Sequence, residues 1–181
     1  AKKEHIIDIV INSKVQRPGV CNSLETLLIN SEIYQDMGSL IIEELLENNV
    51  ELFVDEKIKE DFPNLNLANE SHYETEFLDL KLAVKVVESV DQAIEHIKVY
   101  SSGHTEAILT ESKEVADTFA KSIDSSVIFI NSSTRFTDGE MFGFGSEIGI
   151  STQKLHVRGP MGLEALTNER YVVTGEGTVR G

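Results

Sequence analysis

The chain of 181 residues is poor in cysteine, proline, tryptophan and basic side chains. Its single cysteine, Cys21, excludes an internal disulfide, and the reducing cytoplasm is the compartment expected for such a sequence. No apolar run is long enough to span a bilayer, and the charged N-terminal stretch lacks the apolar region of a signal peptide. Only three prolines are present, and the lack of a fixed repeat or low-complexity tract argues against a solenoid or a disordered protein.

Positive charge is also scarce. The chain has 16 Lys and Arg residues against 31 Asp and Glu residues, for a net charge of -15. Such a field repels nucleic-acid phosphates and anionic lipid headgroups, so we expect neither nucleic acid nor membrane as a partner. An anionic small-molecule substrate would instead need a local positive site. The basic residues near predicted turns are Arg17, Arg135, Lys154 and Arg158.

The hydrophobic pattern alternates between helix and strand periods along the chain. Helices are predicted over 4–15, 32–48, 91–100 and 112–123, with Ser31 and Ser112 as N-caps. Strands are predicted over 26–29, 50–54, 80–87, 106–110 and 127–131, the last strongly buried. This alternation predicts an α/β fold with a parallel sheet and a site at the carboxyl ends of its strands, where Asn131 lies.

The remaining segments are less regular. A polar stretch covers 64–72, a glycine-rich loop covers 132–151, a short helix is predicted over 160–166, and a solitary strand or hairpin over 170–180. An isolated terminal strand pair is marginally stable in water. We therefore expect the terminal segment to dock on another domain or on another subunit.

Cys21 follows a Pro18-Gly19 turn signal and lies outside any apolar periodic stretch. A thiol there can be exposed, and Arg17 is a nearby cation that could lower its pKa and make it nucleophilic. A reactive thiol and an incidental structural thiol both remain open on this local pattern.

Three long motifs occur in a fixed order along the chain: QRPGVCN, SSTRFTDG and FGFGSEIGISTQKLHVRGPMGL. In this order they resemble the C-terminal part of the gamma-glutamyl phosphate reductase family, also called glutamate-5-semialdehyde dehydrogenases, of the aldehyde dehydrogenase superfamily. The resemblance extends over residues 8–173. It implies a parallel-sheet catalytic domain of the aldehyde dehydrogenase type with a C-terminal oligomerisation strand or hairpin.

The resemblance also implies a reaction, the NADPH-dependent reduction of L-glutamyl 5-phosphate to L-glutamate 5-semialdehyde in proline biosynthesis. The Cys21 thiolate would attack the acyl carbon, phosphate would leave, and a thioester would form. A thioester is reducible by hydride, and collapse of the hemithioacetal would release the aldehyde. The backbone amide of Cys21 is the expected oxyanion donor.

Further side chains receive roles from the same resemblance. Glu76 falls where aldehyde dehydrogenases carry the glutamate that binds the nicotinamide ribose, although a solvated glutamate is the alternative. Arg17 and Arg135 would hold the phosphate or the α-carboxylate, whereas Arg135 could instead form a surface ion pair with Asp138. The full predicted substrate-binding set is Arg17, Asn22, Ser132, Ser133, Thr134 and Arg135, and its hydroxyls could alternatively form turn hydrogen bonds.

No dinucleotide fingerprint is evident. Gly143 and Gly145, with Gly149 beyond, have a last spacing one residue too long for G-x-G-x-x-G and do not directly follow a strand. They are interpreted as a tight turn near the substrate. The family's N-terminal half, which carries most of the NADPH site and part of the oxyanion hole, is not in this sequence, so the chain alone is expected to be inactive.

Two other classes of function remain. A cysteine acyltransferase or hydrolase would use His104 or His156 as its base, and would need a histidine nitrogen within hydrogen-bond reach of the sulfur. A noncatalytic interaction domain would bury Cys21. With one cysteine and scattered histidines, no metal site is expected.

The expected organisation is a catalytic domain over 1–131, a substrate loop and return segment over 132–168, and an oligomerisation strand over 169–181. The resemblance implies a homo-oligomer formed through that strand, with glutamate 5-kinase as a further partner.

Overall fold

Helices and strands alternate along the chain in the structure, a computed structural model that describes residues 2–181. The helices are α1 (Lys3–Val15), α2 (Ser31–Glu47), α3 (Glu56–Asp61), α4 (Glu70–Glu74), α5 (Val90–Tyr100) and α6 (Lys113–Ser122). The strands are β1 (Thr26–Asn30), β2 (Glu51–Val54), β3 (Asn66–Leu67), β4 (Lys81–Val87), β5 (Thr105–Ile108), β6 (Val127–Ile130), β7 (Ile148–Ile150) and β8 (Gly159–Met161). The predicted α/β class is confirmed. The sequence pattern missed α3, β3 and α4, which are all six residues long or shorter.

The strands form three sheets. The largest has the order β1-β4-β2-β3, and all of its neighbours are parallel. Strands β5 and β6 form a separate parallel pair, whereas β7 and β8 pair antiparallel. The parallel pairs are connected through helices, as the alternating pattern predicts.

The main hydrophobic core surrounds the four-stranded sheet. Leu45, Val54, Ile58, Leu82 and Val84 have no exposed surface. Strand β4 lies between β1 and β2 and is buried except at Lys81 and Lys85, which are half-buried. Its other residues are apolar, as is typical of a parallel strand that is covered on both faces. A second, smaller core joins α5 and α6 to the β5–β6 pair and is centred on Ile94, Phe119 and Ile123.

Helix starts follow local hydrogen-bonding chemistry. Ser112 caps α6 as predicted, since its side chain accepts from the Val115 amide. The cap predicted at Ser31 is wrong: Asn30 caps α2 by accepting from the Glu32 amide, and the Ser31 hydroxyl donates to Glu88 at 2.7 Å. The asparagine takes this role because it is the last residue with extended backbone before the helix.

The C-terminal third departs most from the sequence predictions. The helix predicted over 160–166 is wrong, because residues 159–161 pair with β7 and only a 3₁₀ turn follows, over Glu164–Leu166. Residues 167–181 form no helix or strand, and their side chains are exposed, because strand hydrogen bonds require a partner edge and none of the described residues supplies one. Strand β6 was predicted to be deeply buried, but Ile130 is exposed and its neighbours are half-buried, since this two-stranded sheet leaves one edge of each strand uncovered. None of the helices within residues 2–181 combines the length and apolar character needed to cross a bilayer.

Candidate active site

Three chemically competent side chains directly precede parallel strands. Cys21 precedes β1, Glu76 precedes β4 and His104 precedes β5, and all three line one cavity of about 700 Å³. They therefore lie at the amino ends of the strands, so the prediction of a site at the carboxyl ends, beside Asn131, is wrong. The reason is that Cys21 lies in the loop that connects α1 to β1, and this loop reaches the sheet at the beginning of β1.

The turn that carries Cys21 is held from several sides. The Ser23 amide donates to the Val20 carbonyl at 2.9 Å, which closes the turn around the cysteine. Asn22 is buried, and its Nδ2 donates to the Thr137 carbonyl at 2.6 Å. Segment 133–137 therefore runs back from the end of β6 to contact the cysteine turn. Cys21 itself is exposed, which argues against the interaction domain that would bury it.

The resting thiol of Cys21 is not activated by its surroundings. Partial burial raises the pKa of Cys21, and the negative charges of Glu147 and Glu76 raise it further. Arg135 opposes this shift in the pKa of Cys21, together with the backbone amide of the cysteine. The sequence assigned the activating charge to Arg17, but Arg17 is not among the charges that act on this thiol. That expectation is wrong because Arg17 is exposed to solvent, where its charge is screened.

His104 is a poor candidate for a general base toward the sulfur. Its Nδ1 lies 2.7 Å from the Thr105 hydroxyl, and burial lowers the pKa of His104. His156 is exposed on the far loop. Within residues 2–181, no histidine nitrogen is hydrogen-bonded to Cys21, so the geometry disfavours a cysteine hydrolase.

Of the three predicted hydroxyl donors, one is hydrogen-bonded within the loop, and two have no side-chain hydrogen bond among the described residues. Ser133 is tied to Ser13 at 3.0 Å and accepts from the Arg135 amide, so it stabilises the loop, as the alternative of turn hydrogen bonds anticipated. Thr134 is buried and its Oγ1 has no partner among the described residues. Ser132, half-buried, makes no side-chain hydrogen bond there.

Unsatisfied polar atoms gather beside Cys21. Asn22 Oδ1, Ser23 Oγ and Thr134 Oγ1 are buried without a hydrogen-bond partner within residues 2–181. Buried polar atoms normally have partners, and leaving one unpaired costs about 1–3 kcal/mol. Ser23 and Thr134 line the cavity, whereas Asn22 is not among its lining residues, so the first two make this part of the cavity suited to a polar ligand.

The two candidate arginines differ in their surroundings. Arg135 is half-buried and its Nε donates to Gln16 at 2.7 Å. The alternative of an ion pair with Asp138 is wrong, since the Asp138 carboxylate accepts backbone amides of its own loop instead. Arg17 is exposed and has no ion pair or hydrogen bond within the described part of the chain. Arg135 is thus the better placed of the two to hold an anion near the thiol.

Sequence reasoning missed Glu147, although this residue lies inside one of the quoted motifs. Its Oε2 accepts from the Gly139 amide at 3.0 Å, and its charge acts on both Cys21 and His104. A Cβ at Gly139 would lie 2.6 Å from the Glu147 Cβ, so the loop closes here only with glycine. The signal in the sequence was an acidic residue within a glycine-rich loop opposite the cysteine, but chain order alone did not bring the two together.

A buried ion pair behind the site was also missed. Lys14 lies on the same helix face as Val10 and has no exposed surface, and its Nζ donates to Glu25 Oε2 at 2.9 Å. Glu25 Oε1 accepts from the Leu78 amide at 3.3 Å, and Leu78 has a left-handed φ of 52°. The carboxylate therefore anchors the segment that carries Glu76 to the base of the cysteine turn. A lysine at an apolar helical position was the detectable signal.

The residues present fit one end of a nicotinamide cofactor. Glu76 is exposed at the cavity, has no hydrogen-bond or ion-pair partner within residues 2–181, and lies close enough to influence the pKa of Cys21. A carboxylate in that position can accept the two hydroxyls of a ribose. Gly143 and Gly145 have positive φ but lie in an exposed loop that does not follow a strand, as the turn interpretation predicts. Among the described residues, no cluster of three metal-ligating side chains is found.

Comparison with known proteins places this site within a family. The chain is 53% identical over 173 residues to a gamma-glutamyl phosphate reductase of Thermoanaerobacter, which covers 96% of this chain and 42% of the relative. It is 51% identical over 180 residues to the enzyme of the same name from Bacillus mycoides, covering 99% of this chain and 43% of the relative. The chain therefore spans less than half the length of these relatives. No family model matches it.

Comparison with solved structures leads to the same family. The crystal structure of gamma-glutamyl phosphate reductase from Thermotoga maritima superposes with a TM-score of 0.91 at 49% identity, covering 100% of this chain and 44% of that one. An acetylating aldehyde dehydrogenase from Geobacillus thermoglucosidasius shares the fold, with a TM-score of 0.63 at 16% identity over 100% of this chain and 50% of that one. By sequence and by structure, the chain belongs to the gamma-glutamyl phosphate reductase family, whose fold is that of the aldehyde dehydrogenases.

Proposed function

We propose that this chain carries the nucleophile and the substrate side of an enzyme that reduces L-glutamyl 5-phosphate to L-glutamate 5-semialdehyde. The observation that carries the proposal is the exposed Cys21 thiol at the cavity, flanked by Arg135 and Glu76, in a chain 53% identical to a named gamma-glutamyl phosphate reductase. The identity of the reaction rests on the relatives. The roles of the residues rest on the site.

Cys21 acts first. Its thiolate adds to the acyl carbon of the acyl phosphate, the carbon–oxygen bond to phosphate breaks, and a thioester to Cys21 remains. Because partial burial and the nearby carboxylates raise the pKa of Cys21, the thiol must lose its proton when the substrate arrives. A bound anion alone would raise the pKa further, so the thiol proton is transferred as the sulfur attacks, to the departing phosphate, which leaves as hydrogen phosphate.

Arg135 and the unsatisfied polar atoms hold the substrate. A guanidinium pairs with phosphate or carboxylate through parallel N–H bonds, and Arg135 is the arginine whose charge reaches Cys21. Thr134 Oγ1 and Ser23 Oγ, which lie at the cavity, can donate to substrate oxygens, whereas Asn22 supports the cysteine turn through its bond to Thr137. The Cys21 amide, which already lies near its own sulfur, is the oxyanion donor on this chain.

Glu76 would hold the nicotinamide ribose of NADPH, which supplies hydride to the thioester when it is bound. The phosphate end of the nucleotide has no glycine-rich cradle after a strand within residues 2–181. We therefore expect the chain by itself neither to turn over nor to bind NADPH at micromolar concentration. Saturable binding by the 181-residue chain in a fluorescence titration would contradict this expectation.

Partner and domain assignments remain predictions. Residues 169–181 are exposed, with Tyr171, Val172 and Val173 largely free of contacts, which supports the proposed role of this segment as an oligomerisation strand. The proposed division at 131 and 168 follows the end of β6 and the 3₁₀ turn after β8. Acyl phosphates hydrolyse readily, which is the chemical argument for a kinase partner that delivers the substrate directly.

The function is tested in a chimera that joins this chain to the remainder of the Thermotoga maritima relative. NADPH formation is followed from glutamate 5-semialdehyde, phosphate and NADP. We expect Cys21→Ala to lose turnover by at least 1,000-fold, whereas His156→Ala, at an exposed histidine outside the cavity, retains it. Undiminished turnover in Cys21→Ala would refute covalent catalysis. Loss of turnover in His156→Ala would favour the alternative in which this histidine acts as a base.

A further inference from the structure

A buried charge pair lies directly behind the cysteine turn and has no role in the proposed chemistry. Lys14 occupies an apolar helix position one turn after Val10, yet its side chain has no exposed surface, and its Nζ donates to Glu25. Apolar side chains of similar volume often give a fold that is equally stable or more stable than one with a buried ion pair. Stability of the core therefore does not explain why two charges are placed here.

The backbone around Glu25 is held from two sides, so its carboxylate is a fixed point. The Leu24 amide donates to the Ser13 carbonyl at 3.0 Å, which joins the end of α1 to the start of β1. The Ala83 amide donates to the Glu25 carbonyl at 3.1 Å, which ties this residue to β4. Lys14 then fixes the side chain, because its ammonium binds Oε2 and leaves Oε1 available to another donor.

That second donor belongs to the segment that carries Glu76. Residues 75–80 lie between α4 and β4 and belong to no helix or strand. The Leu78 amide donates to Glu25 Oε1 at 3.3 Å. Burial raises the pKa of Glu25, and the amides of Leu78 and Phe77 oppose this rise. Leu78 has a φ of 52°, and a left-handed residue lets successive amides point at one anion. The backbone of the segment is therefore shaped around this carboxylate.

The same segment approaches the turn that precedes Cys21. A Cβ added at Gly19 would lie 3.5 Å from the Leu78 carbonyl oxygen, so the backbones of the turn and the segment are close together. Glu76 and Cys21 line the same cavity. Besides burial of the thiol, the charge of Glu76 raises the pKa of Cys21. A shift of segment 75–80 would therefore change how strongly this carboxylate acts on the sulfur.

We propose that Lys14 and Glu25 are positioning residues for Glu76. Lys14 fixes the Glu25 carboxylate, and this carboxylate holds segment 75–80. Glu76 is thereby kept near Cys21 at the wall of the cavity. The pair acts through Glu76 and not by contact with the reacting atoms. Its effect on the cofactor rests on the proposed function, in which Glu76 holds the nicotinamide ribose, whereas its effect on the thiol does not.

A ring contact of the segment supplies the competing explanation. The Phe77 ring stacks on Phe53 of β2, with the ring centroids 5.5 Å apart and 6° between the ring planes. Stacked rings can slide and rotate in their common plane. Hydrogen bonds to a carboxylate are directional and charge-assisted, so they fix the backbone that carries Glu76 more closely than the stack does.

The test uses two double variants that remove both charges and differ only in the acceptor at residue 25. In Lys14→Met with Glu25→Gln an oxygen remains for the Leu78 amide, whereas in Lys14→Met with Glu25→Met none remains. Neither variant leaves a lone buried charge, so both are expected to fold. Alkylation of Cys21 by iodoacetamide is followed at about pH 7.5. The quantity compared is the ratio of the rates with and without Glu76→Gln in each background.

We expect Glu76→Gln to speed alkylation about twofold in the unaltered chain, because removing a nearby negative charge lowers the pKa of the thiol. The variant that keeps the acceptor should show the same ratio, and the variant without it should show a ratio of about one. Tyr34→Phe removes a hydrogen bond to Asp61 elsewhere in the main core and is the control for a general loss of stability. It should keep the twofold ratio.

The chimera tests the consequence for the cofactor. The variant without the acceptor should raise the KM for NADP about fivefold or more and leave the KM for phosphate within about twofold. A general loss of stability would reduce the amount of active enzyme and change neither KM. If Glu76→Gln alone left the KM for NADP unchanged, the proposed role of Glu76 at the ribose would be wrong, and the alkylation ratios would still decide the positioning.

Three results would overturn the proposal. A twofold ratio in the variant without the acceptor would assign the placement of Glu76 to the stack of Phe77 on Phe53. A ratio of about one in the unaltered chain would show that Glu76 is not held near the thiol. A ratio of about one in Tyr34→Phe would show that loosening of the fold at any point has the same effect.

Discussion

The Lys14 ammonium donates to the Glu25 carboxylate at 2.9 Å, and the lysine side chain is entirely removed from solvent. Burial lowers the pKa of Lys14 and raises the pKa of Glu25, in each case against the effect of the partner's charge. Keeping both groups charged in the interior therefore costs free energy of desolvation. Removing one partner destabilises the fold more, because the other is left as an uncompensated charge inside the protein.

Lys14→Met is expected to lower the free energy of unfolding by about 3 kcal/mol, measured by urea denaturation. The double variant Lys14→Met with Glu25→Gln should recover most of this loss, since glutamine keeps an acceptor for the Leu78 amide without the charge. Lys57→Met removes the exposed pair with Glu88 and should change stability by less than about 0.5 kcal/mol. A double variant as unstable as the single one would contradict the role of the uncompensated charge.

The pKa of Cys21 can be read directly from alkylation by iodoacetamide, because the thiolate is the reactive form. Glu147 raises the pKa of Cys21, so Glu147→Gln should speed alkylation at pH 7.5 by roughly two- to fivefold. Glu140→Gln, in the same loop, is the control and should leave the rate unchanged. Equal rates in all three proteins would show that the carboxylate at 147 does not act on the thiol.

The same assay separates the two arginines. Arg135 lowers the pKa of Cys21, so Arg135→Met should slow alkylation by roughly two- to fivefold. Arg17→Met should have no effect, because its side chain is exposed and does not act on the thiol. If Arg17→Met alkylated more slowly than the unaltered protein and Arg135→Met alkylated at the same rate, Arg17 and not Arg135 would be the anion-binding arginine.

His96 makes the fold sensitive to acid. It is buried among Tyr73, Tyr100 and the apolar wall of the cavity, and burial lowers the pKa of His96 to about 4. The unfolded chain binds a proton near the ordinary histidine pKa while the folded chain does not, so stability falls as pH decreases from 6.5 to 4.

The loss over this range should be at most about 3 kcal/mol. It is measured as the difference between urea midpoints at pH 7 and pH 4.5. His96→Leu should flatten this difference relative to His72→Leu, a matched change at a less buried histidine. An unchanged pH dependence in His96→Leu would rule out His96 as its source.

Asp55 joins a helix to the central strand. Its Oδ1 accepts from the Ile58 amide at the start of α3, and its Oδ2 accepts from the Val86 amide at 2.7 Å. Asp55→Ala should cost about 2 kcal/mol in thermal or urea unfolding, since it removes a cap and leaves a strand amide unpaired. Ser89→Ala, which removes only the cap of α5, should cost about half as much. Equal losses would mean that the bond to Val86 contributes nothing.

Long amphipathic and apolar segments could be predicted from the sequence because local periodicity determines them. Helices α1, α2, α5 and α6 and strands β1, β2 and β4 begin and end within two residues of their predicted bounds. Short elements could not be predicted, because β7 and β8 exist only through their pairing across a loop of eight residues. The cap at Asn30 depended on one backbone dihedral that composition does not reveal.

The sequence by itself determined the α/β class and the family, and it marked Cys21 as the candidate nucleophile, because period, motif order and residue chemistry are local properties. Only the tertiary structure decided which groups surround that thiol. It brought Glu147 and Arg135 toward Cys21 from more than a hundred residues away, left Arg17 in solvent, and placed the site at the amino ends of the strands. Those relationships arise from how segments distant in sequence pack together, and the pKa of the thiol depends on that packing.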